Sequence, residues 1–203
     1  MSESEGIFEE PAPLELGARL EQFRPRLERM LDLRLDPRLR RRVDPADILQ
    51  EAFVEVVKRF DEFRSRRPMP FFLWVRLQTL QTLARVQHRH LGTARRAAGR
   101  EVTPQSLPAA STFSLAKAFT QPGLSPSKEV ARLELLERVR AALDRLDEED
   151  REVLALRYFE RLTNEEIAIV LGLTPSGEKK RHARALARLR RELPSAEDVP
   201  TPP

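Results

Sequence analysis

Residues 162–194, LTNEEIAIVLGLTPSGEKKRHARALARLRRELP, contain two helical segments of opposite character. The first half is acidic and aliphatic, whereas residues 179–191 in the second half hold seven Lys or Arg. Between the two halves lies the short joint LGLTPS. Apolar residues recur with helical spacing on both sides of this joint, so the stretch predicts two helices connected by a tight turn.

The ends of both predicted helices carry start and stop signals. Thr163 and Glu166 have the spacing of a capping box, in which hydroxyl and carboxylate each bind the other residue's free backbone N–H. Gly172 is expected to end this first helix. Thr174 and Pro175 then start the second one, since proline suits a first helical position whose N–H would be unpaired.

The second helix divides into an apolar and a basic face. The residues expected to be buried are Ala185, Leu186, Leu189 and Leu193, and those on the opposite face are Ser176, Lys180, Arg181, Arg184 and Arg188. Two helices joined by a short Gly turn, the second of them basic, predict a helix-turn-helix whose second helix enters the DNA major groove. The small Gly177 would permit a close approach to the DNA backbone. A solvated basic helix without a ligand is the alternative.

The composition of the whole chain limits the classes of protein to which it can belong. At 203 residues, with 33% charged and 6% aromatic residues, two small domains are expected rather than one large core. The chain has no Cys, its acidic start MSESEGIFEE does not resemble a signal peptide, and no stretch approaches 18 uninterrupted apolar residues. We therefore expect a cytoplasmic protein that does not insert into a membrane.

Proline and charge mark the domain boundaries. Residues 104–128 hold only two charged side chains, Lys117 and Lys128, between densely charged flanks. This composition predicts a flexible linker without packed structure, with at most a short helical turn around residues 113–119. The predicted fold is all-α, with these parts: a disordered N-terminus (1–13), a first helical domain (14–103), the linker (104–128), the helix-turn-helix domain (129–193) and a disordered tail (194–203).

Both domains are predicted to consist of helices. In the first domain the helices span residues 16–35, from 45 into the 60s, and 71–91, with Asp44 as the cap of the second. The buried stripe expected on that second helix is Leu49, Ala52, Phe53, Val56, Phe60 and Phe63. In the second domain the helices cover residues 129–145, a segment capped by Asp147 and reaching 159, and the two helices of the opening stretch.

The third helix carries a line of polar and basic residues that continues into an acid-free segment. Gln and Arg hydrogen-bond bases and phosphates, and a basic loop such as HRHLGTARR can hold the backbone of single-stranded DNA. Trp74 lies near the same line, either as a core residue or as a base-stacking wedge. The residues predicted to contact single-stranded DNA are Gln78, Gln81, Arg85, His88, Arg89, Arg95 and Arg96.

The segments DILQEAF (residues 47–53), FDEF, FFLW, LDRLDEEDREVLALRYFERLTNEEIAIVLGL and KRHARALARLR together resemble bacterial sigma factors of the extracytoplasmic-function group of the sigma-70 family. The resemblance covers roughly residues 14–100 and 129–193. It implies that the first domain binds RNA polymerase, reads the −10 element and opens DNA, and that the second reads the −35 element.

The resemblance also assigns partners and site residues. It implies that Asp47, Gln50, Glu51 and Val54 dock on the β′ clamp coiled coil of core polymerase. The β flap of core polymerase is a further expected contact, promoter DNA is the ligand, and an anti-sigma factor is a further candidate partner. The residues expected to contact −35 DNA are Ser176, Gly177, Lys179, Lys180, Arg181 and Arg184. The usual family pattern has Thr and Val where this chain has Gly177 and Glu178.

Other classes of function have less support. The three His lie in basic segments, and no P-loop, G-x-S-x-G or metal-spaced cluster occurs. We therefore expect no catalysis, no metal and no cofactor. A two-domain regulator that binds DNA without stable polymerase association stays open, as does an adaptor whose basic helix binds an acidic partner.

Overall fold

The computed structural model of the protein describes residues 12–95, 107, 111–120 and 126–193. The chain divides into two compact units, residues 1–105 and 106–203. Within the described residues all regular structure is helical, which confirms the predicted all-α class. No helix in those parts of the chain is long and apolar enough to cross a membrane.

The described residues of the first unit form three long helices. They are α1 (Leu16–Arg34), α2 (Pro45–Arg66) and α3 (Phe71–Arg95), with a short 3-10 turn at Pro13–Glu15 before α1. Asp44 caps α2 as predicted, because its side chain accepts a hydrogen bond from the Ala46 N–H. Arg67 ends α2 in the left-handed conformation, at φ 41°.

An aromatic cluster fills the core of the first unit. Phe63 packs on Trp74 with ring centroids 4.7 Å apart, and Phe71 lies within 6.0 Å of Trp74. The Trp74 side chain is only 5% exposed. Of its two predicted roles, the core role is therefore the one that the structure supports. The predicted α2 stripe is buried apart from Phe53, which is half-buried.

The second unit contains five helices and one π turn among its described residues. They are α4 (Ser111–Phe119), α5 (Pro126–Arg145), α6 (Glu148–Leu154), the π turn (Ala155–Phe159), α7 (Asn164–Leu171) and α8 (Pro175–Glu192). Asp147 caps α6 by accepting from the Asp150 N–H, as predicted. The π turn, which widens the helix by one residue, is closed by the Glu160 N–H on the Ala155 carbonyl oxygen.

The predicted linker is wrong in part. Residues 111–119 form α4, which packs against α5 and the π turn within the second unit. Leu115, Ala116 and Phe119 are buried there, because their helical spacing gives this nearly uncharged segment an apolar face. The helix α5 also begins three residues before the predicted domain start. Residues 1–11 and 194–203, predicted to be disordered, lie outside the described residues.

The aromatic cluster yields a stability prediction. We expect Trp74→Ala to lower the free energy of unfolding of the first unit by about 3–5 kcal/mol, since it empties a large core position. Gln81→Ala, an exposed change on the same helix, should stay within about 0.5 kcal/mol. Urea unfolding followed by circular dichroism measures both. If Trp74→Ala left the free energy of unfolding unchanged, Trp74 would not be a core residue, and the role of base-stacking wedge would be favoured.

Candidate nucleic-acid interface

The turn between α7 and α8 is built as the sequence predicts. Thr163 Oγ1 accepts from the Glu166 N–H at 3.2 Å, and Glu166 Oε2 accepts from the Thr163 N–H at 2.8 Å. Gly172 ends α7 in the left-handed conformation, at φ 63°, which residues with a side chain rarely adopt. The capping box thus fixes the start of α7, and Gly172 ends the helix at the turn.

The first turn of α8 is closed by Thr174. Its hydroxyl accepts from the Gly177 N–H at 3.0 Å, and Pro175 occupies the first turn as predicted. A Cβ on residue 177 would lie 3.2 Å from that same hydroxyl oxygen, which is a tight contact. Gly177 therefore has a role inside the protein, because it leaves room for the cap. Its predicted close approach to DNA stays a prediction.

The apolar face of α8 is buried and its opposite face is exposed, as expected. Ala185, Leu189 and Leu193 are buried, and Leu186 is half-buried. Four of the predicted DNA-contacting residues are exposed: Ser176, Lys179, Lys180 and Arg184.

The cations of α8 fall into two groups by their partners. Arg181 Nη2 lies 2.9 Å from Glu149 Oε2, and Arg188 bonds both Asp147, at 2.6 Å, and the buried Asp150. Within the described part of the chain, Lys179, Lys180 and Arg184 make no ion pair. Together with Arg190 and Arg191 in the last turn, which also make no ion pair with the described residues, these side chains are the cations of α8 that an added phosphate could bind without breaking an existing pair.

Glu178 is a buried carboxylate that the sequence analysis did not predict to be buried. It is fully buried in the first turn of α8, and neither carboxylate oxygen has a hydrogen-bond partner among the described residues. Burial raises the pKa of this carboxyl, nearby Arg157 and Lys179 oppose that shift, and Glu165 adds to it. The Val of the usual family pattern at this position was the one available signal of an inward-facing residue.

His182 lies one turn after Glu178 and faces the π turn. Its Nε2 is hydrogen-bonded to the Tyr158 hydroxyl at 2.9 Å. Burial lowers the pKa of the His182 imidazole, and the positive charge of Arg157 lowers it further. The neutral ring is therefore favoured at pH 7.

The predicted polymerase-docking face lies on α2. Asp47, Gln50 and Val54 are exposed, and the neighbouring apolar Val57 is 58% exposed. A shallow groove between α1 and α2 borders this face, with Phe53 in its wall and the Arg24 guanidinium 5.3 Å from the Phe53 ring. The sequence analysis missed the groove, because it depends on how α1 packs beside α2.

Glu51 is placed differently from the rest of that face. It is half-buried, and its Oε1 lies 3.7 Å from Arg85 Nη1 and 3.6 Å from Arg89 Nη2. The structure therefore brings this predicted docking residue next to two residues predicted to bind opened DNA.

The line predicted on α3 is exposed with one exception. Gln81, Arg85, His88 and Arg89 are exposed, whereas Gln78 is 4% exposed and its Oε1 accepts from Arg59 Nη1 at 2.8 Å. The prediction that Gln78 contacts DNA is therefore wrong, because position 78 faces α2 and its acceptor is already used. The Arg95 side chain and Arg96 lie outside the described residues.

Comparisons with known proteins agree with this geometry. Residues 136–189 match the family model "Sigma-70, region 4", a segment that contains the helix-turn-helix of α7 and α8. The chain is also 31% identical over 150 residues to the "Probable RNA polymerase sigma factor RfaY" of Xanthomonas campestris pv. campestris, which covers 72% of this chain and 33% of that protein. The chain thus spans about a third of the length of this relative.

The unpaired carboxylate of Glu178 yields a pH prediction. We expect Glu178→Val to raise the free energy of unfolding of the second unit by about 1–3 kcal/mol at pH 7, because it removes a buried group without hydrogen-bond partners. The folded pKa lies above the ordinary value of 4.5, so the wild-type unit loses stability as the pH rises from there through the folded pKa. The free energy of unfolding of Glu178→Val should not show this decrease with pH.

Urea unfolding between pH 4 and pH 7, followed by the His182 ring signal in NMR spectra, measures both effects. The exposed Glu165→Gln serves as the control and should leave stability within about 0.5 kcal/mol. A Glu178→Val variant that is less stable than wild type at pH 7 would show that the carboxylate has a partner.

Proposed function

We infer that the chain belongs to the sigma-70 family, and we propose that it acts as an RNA polymerase sigma factor that directs core polymerase to promoters. The observation that carries this proposal is the arrangement of α8. Its inner face is apolar and its outer face presents Lys179, Lys180 and Arg184 without intramolecular ion pairs in the described residues. This is the charge distribution that a helix needs in order to lie in the major groove.

We assign −35 recognition to the N-terminal half of α8. In helix-turn-helix proteins these residues lie near base edges while cations bind the phosphates on either side. Ser176 is exposed at this end, and Lys179 and Lys180 follow on the next turn. Arg181 can join them only by leaving Glu149, whose side chain is 72% exposed, and an ion pair to such an exposed carboxylate costs about 0.2–1 kcal/mol to break.

Docking on core polymerase is assigned to the exposed part of α2. Asp47 and Gln50 supply polar groups there, and Val54 with Val57 supplies exposed apolar surface next to the groove. A mixed face of this kind, with an apolar centre and a polar rim, is typical of protein interfaces. The β′ coiled coil is the partner that the family implies.

Reading and opening of the −10 element are assigned to α3. Gln81, Arg85, His88 and Arg89 form its exposed polar face, without the buried Gln78. The cationic side chains can follow the backbone of a displaced strand. The β flap, an anti-sigma factor, the cytoplasmic setting and the absence of catalysis and cofactors remain parts of the proposal that rest on the family and the sequence.

The first functional prediction concerns the cations of α8. We expect Lys180→Ala with Arg184→Ala to weaken binding to −35 duplex and to reduce the slope of log affinity against log salt by about 0.9 for each phosphate that is no longer bound. Fluorescence anisotropy between 50 and 200 mM salt measures this. Lys117→Ala with Arg140→Ala removes the same charge from α4 and α5 and should leave the slope unchanged. Equally weakened binding in both double variants would mean that only net charge matters.

The second functional prediction concerns polymerase. Asp47→Arg with Gln50→Ala should abolish co-purification with core polymerase while the helical content stays at the wild-type level. Asp61→Arg with Ser65→Ala makes the same kinds of change at exposed positions further along α2 and should bind normally. Normal binding by the first variant would remove the docking assignment. A wild-type chain that binds promoter duplex but no polymerase would favour the regulator.

A further inference from the structure

The helix α4 packs against the π turn through its last residue. Phe119 is 3% exposed, and its ring centroid lies 4.9 Å from that of Tyr158, with the planes inclined by 58°. Aromatic pairs with such inclined rings at this distance are favourable beyond the area that they bury. Phe119 therefore covers one side of the Tyr158 ring.

Tyr158 also contacts α8. Its hydroxyl is hydrogen-bonded to His182 Nε2, and the two ring centroids are 5.5 Å apart. His182 lies directly after Arg181 and two residues before Arg184, in the segment that carries the exposed cations of α8. One side chain thus touches both α4 and the proposed DNA-reading helix.

The two halves of α8 are held by different contacts. Arg188 bonds Asp147 and Asp150, and Glu192 lies 3.4 Å from Arg145, so ion pairs tie the C-terminal half to α5 and α6.

The N-terminal half has fewer ion pairs with other helices, since only Arg181 makes one among the described residues, to Glu149. Its other polar contacts are the local cap at Thr174, the local bond from Arg184 to the Lys180 carbonyl oxygen, and the bond between His182 and Tyr158. Glu178, one turn earlier on the same side, adds no hydrogen bond with the described residues. The Arg181 pair reaches α6 through the well-exposed Glu149, whereas the His182 bond reaches the π turn between two part-buried groups, so the position of Tyr158 contributes to the placement of this half.

We propose that α4 positions the DNA-reading helix: Phe119 fixes the Tyr158 ring, and Tyr158 in turn holds His182 and the N-terminal half of α8. This inference rests on the proposed function of α8. It assigns a role in −35 recognition to Phe119, which lies outside the matched segment 136–189. Phe119 and Tyr158 are positioning residues, since neither lies on the exposed basic face.

The helix α4 carries a second phenylalanine, Phe113, that serves as a matched control when Phe119 is tested in the 203-residue chain. Phe119→Ala should weaken binding to −35 duplex about three- to tenfold, the effect of removing one aromatic partner. Phe113→Ala makes the identical change on the same helix at a side chain that is 41% exposed, and it should stay within about twofold. Phe119→Leu, which keeps an apolar side chain, should recover part of the affinity.

A second readout reports on the contact without DNA. NMR titration of the His182 ring should show a pKa below the usual histidine value in the wild type and in Phe113→Ala. In Phe119→Ala the pKa should rise toward the usual value, because Tyr158 no longer shields the ring. His182→Asn identifies the signal among the three His of the chain.

Tyr158→Phe keeps the ring on Phe119 and removes only the hydroxyl, so it tests the proposal even where Phe119→Ala unfolds the unit. It should weaken duplex binding, and adding Phe119→Ala to it should cost less than Phe119→Ala alone. Wild-type affinity in both single variants, with an unchanged His182 titration in Phe119→Ala, would overturn the proposal. A wild-type chain that binds no duplex would instead overturn the proposed function, while the His182 titration still decides whether Phe119 controls the contact.

Discussion

The burial of one face of α8 is the constraint on which the second unit depends. Ala185 and Leu189 are buried inward, and this seating leaves the opposite face, with its lysines and arginines, in solvent. Hydrophobic burial is not directional, so the orientation of the helix has to come from polar contacts at its ends. The left-handed Gly172 and the Thr174 cap supply that orientation at the turn before α8, and the Thr163–Glu166 box fixes the start of α7.

Competition for cations decides which residues of α8 are available to DNA. Exposed ion pairs contribute about 0.2–1 kcal/mol, so a phosphate can replace Glu149 as the partner of Arg181. Arg188 is shared by two carboxylates, one of them buried, and removing it would leave Asp150 with a desolvated charge. Arg188 therefore belongs to the framework of the unit, whereas Lys180 and Arg184 belong to the proposed binding face.

Local signals made much of this architecture predictable from the sequence. The caps at Asp44, Asp147 and Thr174 and the turn at Gly172 all depend on residues within four positions of each other, so short-range patterns suffice. Gln78 was wrongly predicted because its environment comes from a distant part of the chain. Residues 111–119 have helical apolar spacing of their own, but the helices that bury this face lie further along the chain. Nothing near position 78 indicates that Arg59, nineteen residues earlier, will occupy its oxygen.

The central claim, that the chain directs polymerase to start sites, is tested most directly by run-off transcription on fragmented genomic DNA with reconstituted core polymerase. The predicted result is a set of discrete transcripts that require both the chain and the core enzyme, and whose upstream sequences share two elements at constant spacing. Transcripts that core polymerase makes equally well without the chain, or a chain that only represses transcription, would contradict the claim.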